Sequence, residues 1–132
     1  MADTQTTTRI TQVGTVIVPV SDQDRAIEFY VEKLGFEKRA DTAYGDGMRW
    51  VEVGLPGAET VVALVPPREG DKTGIDLHFG YATDDAEAAH AELRARGVDV
   101  DDEIMQMGDP VPPMFFARDQ DRNNFLVVQR HD

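Results

Sequence analysis

The chain has 132 residues, the size of one domain: large enough to bury a core and too short for two ordinary ones. Hydrophobic residues at 41% and charged residues at 29% exclude wholesale disorder and a fibrous repeat. With 25 acids against 13 bases, a net charge of -12 and no Lys/Arg cluster, the chain would repel a phosphate backbone, so no nucleic-acid partner is expected and the acidity is read as serving solubility.

The start, MADTQTTTRITQ, lacks the basic and apolar parts of a signal peptide, and no stretch has the apolar length of a spanning helix. A cytoplasmic protein with no membrane partner is therefore expected. The absence of Cys removes disulfides, thiolate nucleophiles and Cys-based metal sites. Residues 1–8, polar and Thr-rich, are expected to be a flexible tail.

In chain order, a strand is predicted over residues 13–20 (VGTVIVPV), then an amphipathic helix that starts at Ser21 or Asp22 and stops at Gly35. Ile27, Tyr30, Val31 and Leu34 fall at helical spacing within it. Strands follow at 48–53 (MRWVEV) and 60–65 (TVVALV), and a charged, turn-rich linker at 66–74 (PPREGDKTG). The second half repeats the plan. It has a strand at 76–82 (DLHFGYA), a helix from Thr83 or Asp84 to Gly97, and strands at 114–117 (MFFA) and 124–129 (NFLVVQ). Residues 99–113 are left as a further strand or a long loop stiffened by Pro110, Pro112 and Pro113.

The two helical segments align without a gap at an offset of 62 residues, pairing Asp22 with Asp84, Ala26 with Ala88 and Gly35 with Gly97. Two copies of a βαβββ unit, about 9–67 and 74–132, are therefore predicted within one domain spanning 9–132. One copy alone would be marginal. The fold class is α+β: paired sheets, each covered by a helix on its convex face, with the concave faces forming a trough.

The segment PVSDQDRAIEFYVEKLGF, with its partner HFGYATDDAEAAHAELRARGV and the closing DQDRNNFLVVQ, resembles the vicinal-oxygen-chelate (glyoxalase, bleomycin resistance, extradiol dioxygenase) superfamily over nearly the whole chain. The resemblance implies a trough in which enzymes of the family hold a divalent metal with one ligand from each of four strands, typically His, Glu, His and Glu. Carried over position by position, these sites fall on Thr15 (or Val16), Ala63, His78 and Leu126. One imidazole does not hold a metal, because affinity and geometry come from several converging ligands. No metal and no other cofactor is therefore expected. His90 lies on the second helix and His131 at the terminus, away from these positions. The closing turn carries Arg122 and Asn123 where the family usually has a Gly-containing form, with Asn suited to a positive φ.

Strand alternation turns Asp76, His78 and Gly80 towards the trough and Leu77, Phe79 and Tyr81 towards the helix. Gly80 is expected to leave space beside His78. Thr15, Ile17, Val61, Ala63, Leu126 and Val128 line the same trough, Trp50 shares a face with Met48 and Glu52, and Met105, Met107 and Met114 gather near the proline-rich loop. The candidate ligand-binding residues are Thr15, Ile17, Trp50, Glu52, Ala63, His78, Gly80, Met105, Met114 and Leu126. The resemblance further implies a homodimer in which two chains complete each trough.

The leading functional expectation is a metal-free binding protein that sequesters an apolar or aromatic small molecule, of the antibiotic-resistance type. Second is a glyoxalase-like lyase or isomerase in which His78, with Asp76 or Glu52, acts as general base. A dioxygenase-like metalloenzyme retaining His78 as a ligand comes third. Composition and spacing do not name the ligand.

Overall fold

The computed structural model describes residues 6–130. Of the expected tail, residues 1–5 lie outside the described residues, and 6–8 are exposed and without regular structure. The first unit runs β1 (Thr15–Pro19), α1 (Gln23–Glu28) continued by a π-helical turn (Phe29–Lys33), β2 (Glu37–Tyr44), β3 (Met48–Gly54) and β4 (Val61–Val65). The second runs β5 (Asp76–Thr83), α2 (Ala86–Ala95), β6 (Asp99–Val100), β7 (Met114–Arg118) and β8 (Asn124–Gln129).

Each unit forms one four-stranded sheet, in the orders β1-β4-β3-β2 and β5-β8-β7-β6. The first strand of each unit pairs parallel with the last, and the remaining pairs are antiparallel. This is the expected α+β arrangement of two βαβββ units. β2 gives no strand signal in the sequence, because EKRADTAY lacks apolar alternation and is almost wholly exposed. It is an edge strand held by pairing with β3, with Arg39 as an extra residue between Lys38 and Ala40. The segment after α2 contains the two-residue strand β6 and an isolated bridge, Met105 to Met114, so both expected forms are present in part.

The helices are alike but not superimposable. Asp22 caps α1 by accepting from Arg25 N, whereas α2 is capped by Asp85, one residue beyond the predicted Thr83 or Asp84. Gly35 and Gly97 both take the left-handed conformation just past the helix ends, with φ of 81° and 83°. The offset is thus 63 at the caps and 62 at the glycines. One extra residue lies inside the first helix, and the π-helical turn absorbs it. The closing hydrogen bonds show the same difference: Phe36 N reaches back six residues to Tyr30 O, and Val98 N reaches back five to Leu93 O.

The inward faces of the sheets bury two apolar clusters, one around Val18, Tyr30, Val51, Val53 and Leu64, the other around Val98, Phe115, Ala117 and Phe125. Edge-to-face rings connect them. Tyr30 meets Phe36 at 5.4 Å, Phe36 meets Tyr81 at 5.3 Å, and Tyr81 meets Phe125 at 5.2 Å.

A polar hub ties the closing turn of the second unit to the first. Asp119, 5% exposed, accepts from Asp121 N (2.9 Å), Asn123 N (3.0 Å), Asn123 Nδ2 (3.0 Å) and the Tyr30 hydroxyl (2.8 Å). Asn123, fully buried, also donates to Pro19 O (2.9 Å), and its Oδ1 accepts from Gly74 N (2.9 Å) and Ile75 N (3.2 Å). Arg122, not Asn123, takes the positive φ of 67°, which leaves the Asn123 amide free to point inward. Burial pushes the Asp119 carboxyl above its ordinary range, partly offset by the donors from Asn123 and Tyr30. Burial likewise raises the Tyr30 hydroxyl.

Asp119→Ala would strand several buried donors at once, each costing about 1–3 kcal/mol when left unsatisfied. A total loss of about 3 kcal/mol in urea unfolding is expected, against about 1 kcal/mol for Tyr30→Phe, which removes one donor. Equal losses for the two variants would contradict the hub.

Candidate functional site

The outer face of the first sheet follows from register. Ile17 stands beside Ala63, Ala63 beside Glu52, and Glu52 beside Ala40; Trp50 pairs with Thr42 and Met48 with Tyr44. Side chains of paired residues share a face, so Thr15, Ile17, Ala63, Glu52, Trp50 and Met48 all lie on the side away from α1. The linker after β4 folds over one end of this face. The result is an open hollow of about 680 Å³, walled by Ile17, Pro19, Tyr44, Met48, Trp50 and Val65 on the sheet side and by residues of the 66–75 segment on the other. That volume lies in the range of small-molecule pockets.

Large apolar side chains are exposed there: Ile17 at 51%, Tyr44 at 50% and Met48 at 44%. A concentration of such groups on one concave face marks a surface built to be covered. Trp50 is half-buried, and its indole N–H donates to Glu52 Oε2 at 2.8 Å, which fixes the ring against the sheet.

The structure divides the ten predicted residues. Ile17 and Trp50 line the hollow; Thr15, Glu52 and Ala63 share its face without lining it, and Ala63 is fully buried. His78 and Leu126 belong to a separate recess of about 150 Å³ on the second sheet, with Asp76, Phe79, Phe116 and Asn124. Met105 and Met114 are bridged to each other, and Met107 stands 64% exposed. Tyr44, Met48 and Ile75 are wall residues absent from the candidate set, and Tyr44 was hidden because β2 gives no strand signal.

Two expectations about β5 are corrected. Gly80 leaves no space: a Cβ there would lie 2.8 Å from Leu126 Cβ and 2.9 Å from Leu126 O, so glycine is required for the two strands to approach. Strict alternation also fails, because Asp76 pairs with Asn124 and Gly80 with Leu126, putting four steps of β5 against two of β8. His78 sits in this bulge with φ of 62°, a conformation uncommon for a residue with a side chain. Phe79 consequently borders the recess as well as the core.

The residues do not suit a divalent metal. Thr15, Ala63 and Leu126 stand at three of the four positions carried over from the family, and among the described residues no three His, Cys, Asp or Glu side chains converge. Of the partners considered for His78 as a general base, Asp76 shares its recess and Glu52 does not. The Asp76 carboxylate accepts from Asn124 Nδ2 at 2.9 Å, and Glu52 is on the other sheet holding Trp50.

A polar row closes one end of the second sheet's face. Arg118 donates from Nε and Nη2 to Asp99 (both 3.1 Å) and from Nη1 to Asp101 (2.8 Å) and Asn124 Oδ1 (3.2 Å). Hydrogen bonding from Arg118 holds the Asp99 carboxyl below its usual range, assisted by Arg122. A depressed carboxyl contributes stability that is present above its unfolded pKa, near 4, and is lost as pH falls through the lower folded value. Solvent screening keeps the effect small, since Asp99 is well exposed. In an NMR titration Asp99 should ionise below the ordinary carboxylate range and return towards it in Arg118→Met; an unchanged midpoint would show that the fork does not act on it.

Comparison with known proteins places this geometry. Residues 10–127 match the family model described as Glyoxalase/Bleomycin resistance protein/Dioxygenase superfamily. The uncharacterized protein YetH of Bacillus subtilis is 32% identical over 91% of this chain and 99% of its own length. A superfamily member from Sphaerobacter thermophilus is 35% identical, with a TM-score of 0.85 over 92% of this chain and 98% of that one. TnmS3, an antibiotic-binding protein from a Streptomyces species, is 35% identical, with a TM-score of 0.79 over 95% of this chain and all of its own. The match over nearly the whole chain, joined to the twofold βαβββ architecture, shows that this protein belongs to the Glyoxalase/Bleomycin resistance protein/Dioxygenase superfamily.

Proposed function

We propose that the protein is a metal-free homodimer that binds and sequesters an apolar or aromatic small molecule in the hollow of its first sheet. The observation that carries this is the wall itself: exposed Ile17, Tyr44 and Met48 and half-buried Trp50 present apolar and aromatic groups around about 680 Å³ of open space. Aromatic and thioether groups suit flat, polarizable ligands. The likeness to an antibiotic-binding protein supports a binding role, and the side chains at the family's ligand positions favour binding over metal chemistry.

The homodimer belongs to the same reading. The hollow is open on one side, and the second sheet's face offers Met105, Met114 and Leu126 to a partner copy. In this arrangement each trough takes one wall from each chain.

Trp50 is the only Trp, so fluorescence reports on the wall directly. Polycyclic aromatic compounds should quench it saturably, and Ile17→Glu should weaken binding by about 1–3 kcal/mol by placing a charge against the ligand. Quenching unaffected by Ile17→Glu would move the ligand elsewhere. Light scattering should give a dimer at micromolar concentration; a stable monomer would remove that part of the proposal. His78→Ala should leave affinity within about 1 kcal/mol, the worth of one hydrogen bond. A turnover with some compound that falls about a hundredfold in His78→Ala would favour the lyase or isomerase reading instead.

A further inference from the structure

The charged content of the hollow comes from one place. Its walls on the sheet side are Ile17, Tyr44, Met48, Trp50, Pro19 and Val65, and its charged lining residues are Arg68, Asp71 and Lys72, all on the linker between the units. A turn shapes that linker: Asp71 N donates to Arg68 O at 2.8 Å, and Arg68 N donates to Asp71 Oδ2 at 3.3 Å. Arg68, Asp71 and Lys72 thus stand together at the same rim, with one Asp71 oxygen accepting from the backbone.

Several cations of the molecule are held by acids. Arg39, Arg49, Arg94, Arg118 and Arg122 are each engaged by an acid. Among the described residues neither Arg68 nor Lys72 forms an ion pair, although the chain carries 25 acids against 13 bases. In a protein of net charge -12, the charged lining of the hollow, Arg68 and Lys72 against Asp71, is positive by one charge. An Arg and a Lys together suit an anionic oxygen group: the guanidinium as a planar fork, the ammonium as a mobile point charge.

Resting on the binding role proposed above, we infer that the ligand is a flat aromatic compound bearing an anionic group, a carboxylate or an acidic phenolate, whose rings lie against Trp50, Met48 and Ile17 while the anion meets Arg68 and Lys72. The surrounding negative charge then selects by position. An anion is tolerated at the linker rim, and a compound carrying its charge elsewhere is repelled.

The test uses two probes with one ring system, anthraquinone-2-carboxylate and neutral anthraquinone-2-carboxamide, titrated into the full-length protein with Trp50 fluorescence as the readout. At low salt the carboxylate should bind about fivefold or more tightly than the amide, a preference that fades towards about 0.5 M salt as exposed charges are screened. The double variant Arg68→Gln/Lys72→Gln should erase the preference, so that carboxylate and amide bind alike. Both substitutions are on an exposed loop, and circular dichroism checks the fold. Arg68→Glu/Lys72→Glu should reverse the preference. Equal binding of the two probes to the wild type, or a preference that survives the Gln variant, overturns this inference and leaves the apolar hollow standing as a binding site. Failure of both probes to quench Trp50 overturns both.

Discussion

The buried contact between Asp119 and Asn123 is where the two halves of the molecule are fastened. Asp119 gathers four donors and Asn123 reaches from its own turn to Pro19 at the end of β1 and to Gly74 and Ile75 at the start of β5. One short turn thereby fixes the end of the first strand, the inner face of the first helix and the path of the linker. A buried polar group without partners costs more than a satisfied one returns, so the surrounding backbone has little freedom to adopt another arrangement. Asp121 extends the hub outward by accepting from the Ser21 backbone and hydroxyl at the start of the first helix. The linker that walls the hollow is among the segments held there, so the hub indirectly shapes the candidate site.

Repetition with one asymmetry explains the rest of the fold. Both units build the same strand order, yet the first helix holds one residue more than the second between its capping Asp and its closing Gly. The π-helical turn takes up that residue without disturbing either end. It also contains Tyr30, whose ring packs on Phe36 and whose hydroxyl donates to Asp119. The irregular turn therefore lies at the junction of both cores, where one side chain serves the aromatic row and the polar hub together.

The two sheet faces present different side chains. The first presents an apolar hollow wide enough for a drug-sized molecule, with cations confined to its linker rim. The second carries the Arg118 row at one end, a small recess by His78, and methionines at the other end. Neither face offers a convergent set of metal donors among the described residues. The lining of the first face is mostly apolar, with its charged residues on the linker.

Much of this was written in local sequence. Asp22 and the two Gly signals bounded the helices, the second starting one residue late at Asp85, since capping needs only a nearby side chain or a left-handed residue, and alternation placed Ile17, Trp50 and Glu52 on one face of their strands. The substitutions at the family's metal positions were equally legible, being matters of residue type. Tertiary structure decided what depends on partners distant in sequence. β2 exists because β3 pairs with it, although EKRADTAY has no strand pattern of its own. The bulge at His78 follows from how β5 fits β8, and the same fit turns Gly80 from expected space into a tight contact with Leu126. The linker looked like a plain charged connection until folding carried it over the sheet. Placement of Arg68 and Lys72 at the hollow's rim depends on that closure, because charge is visible in a sequence and its neighbours across 20 or more residues are not.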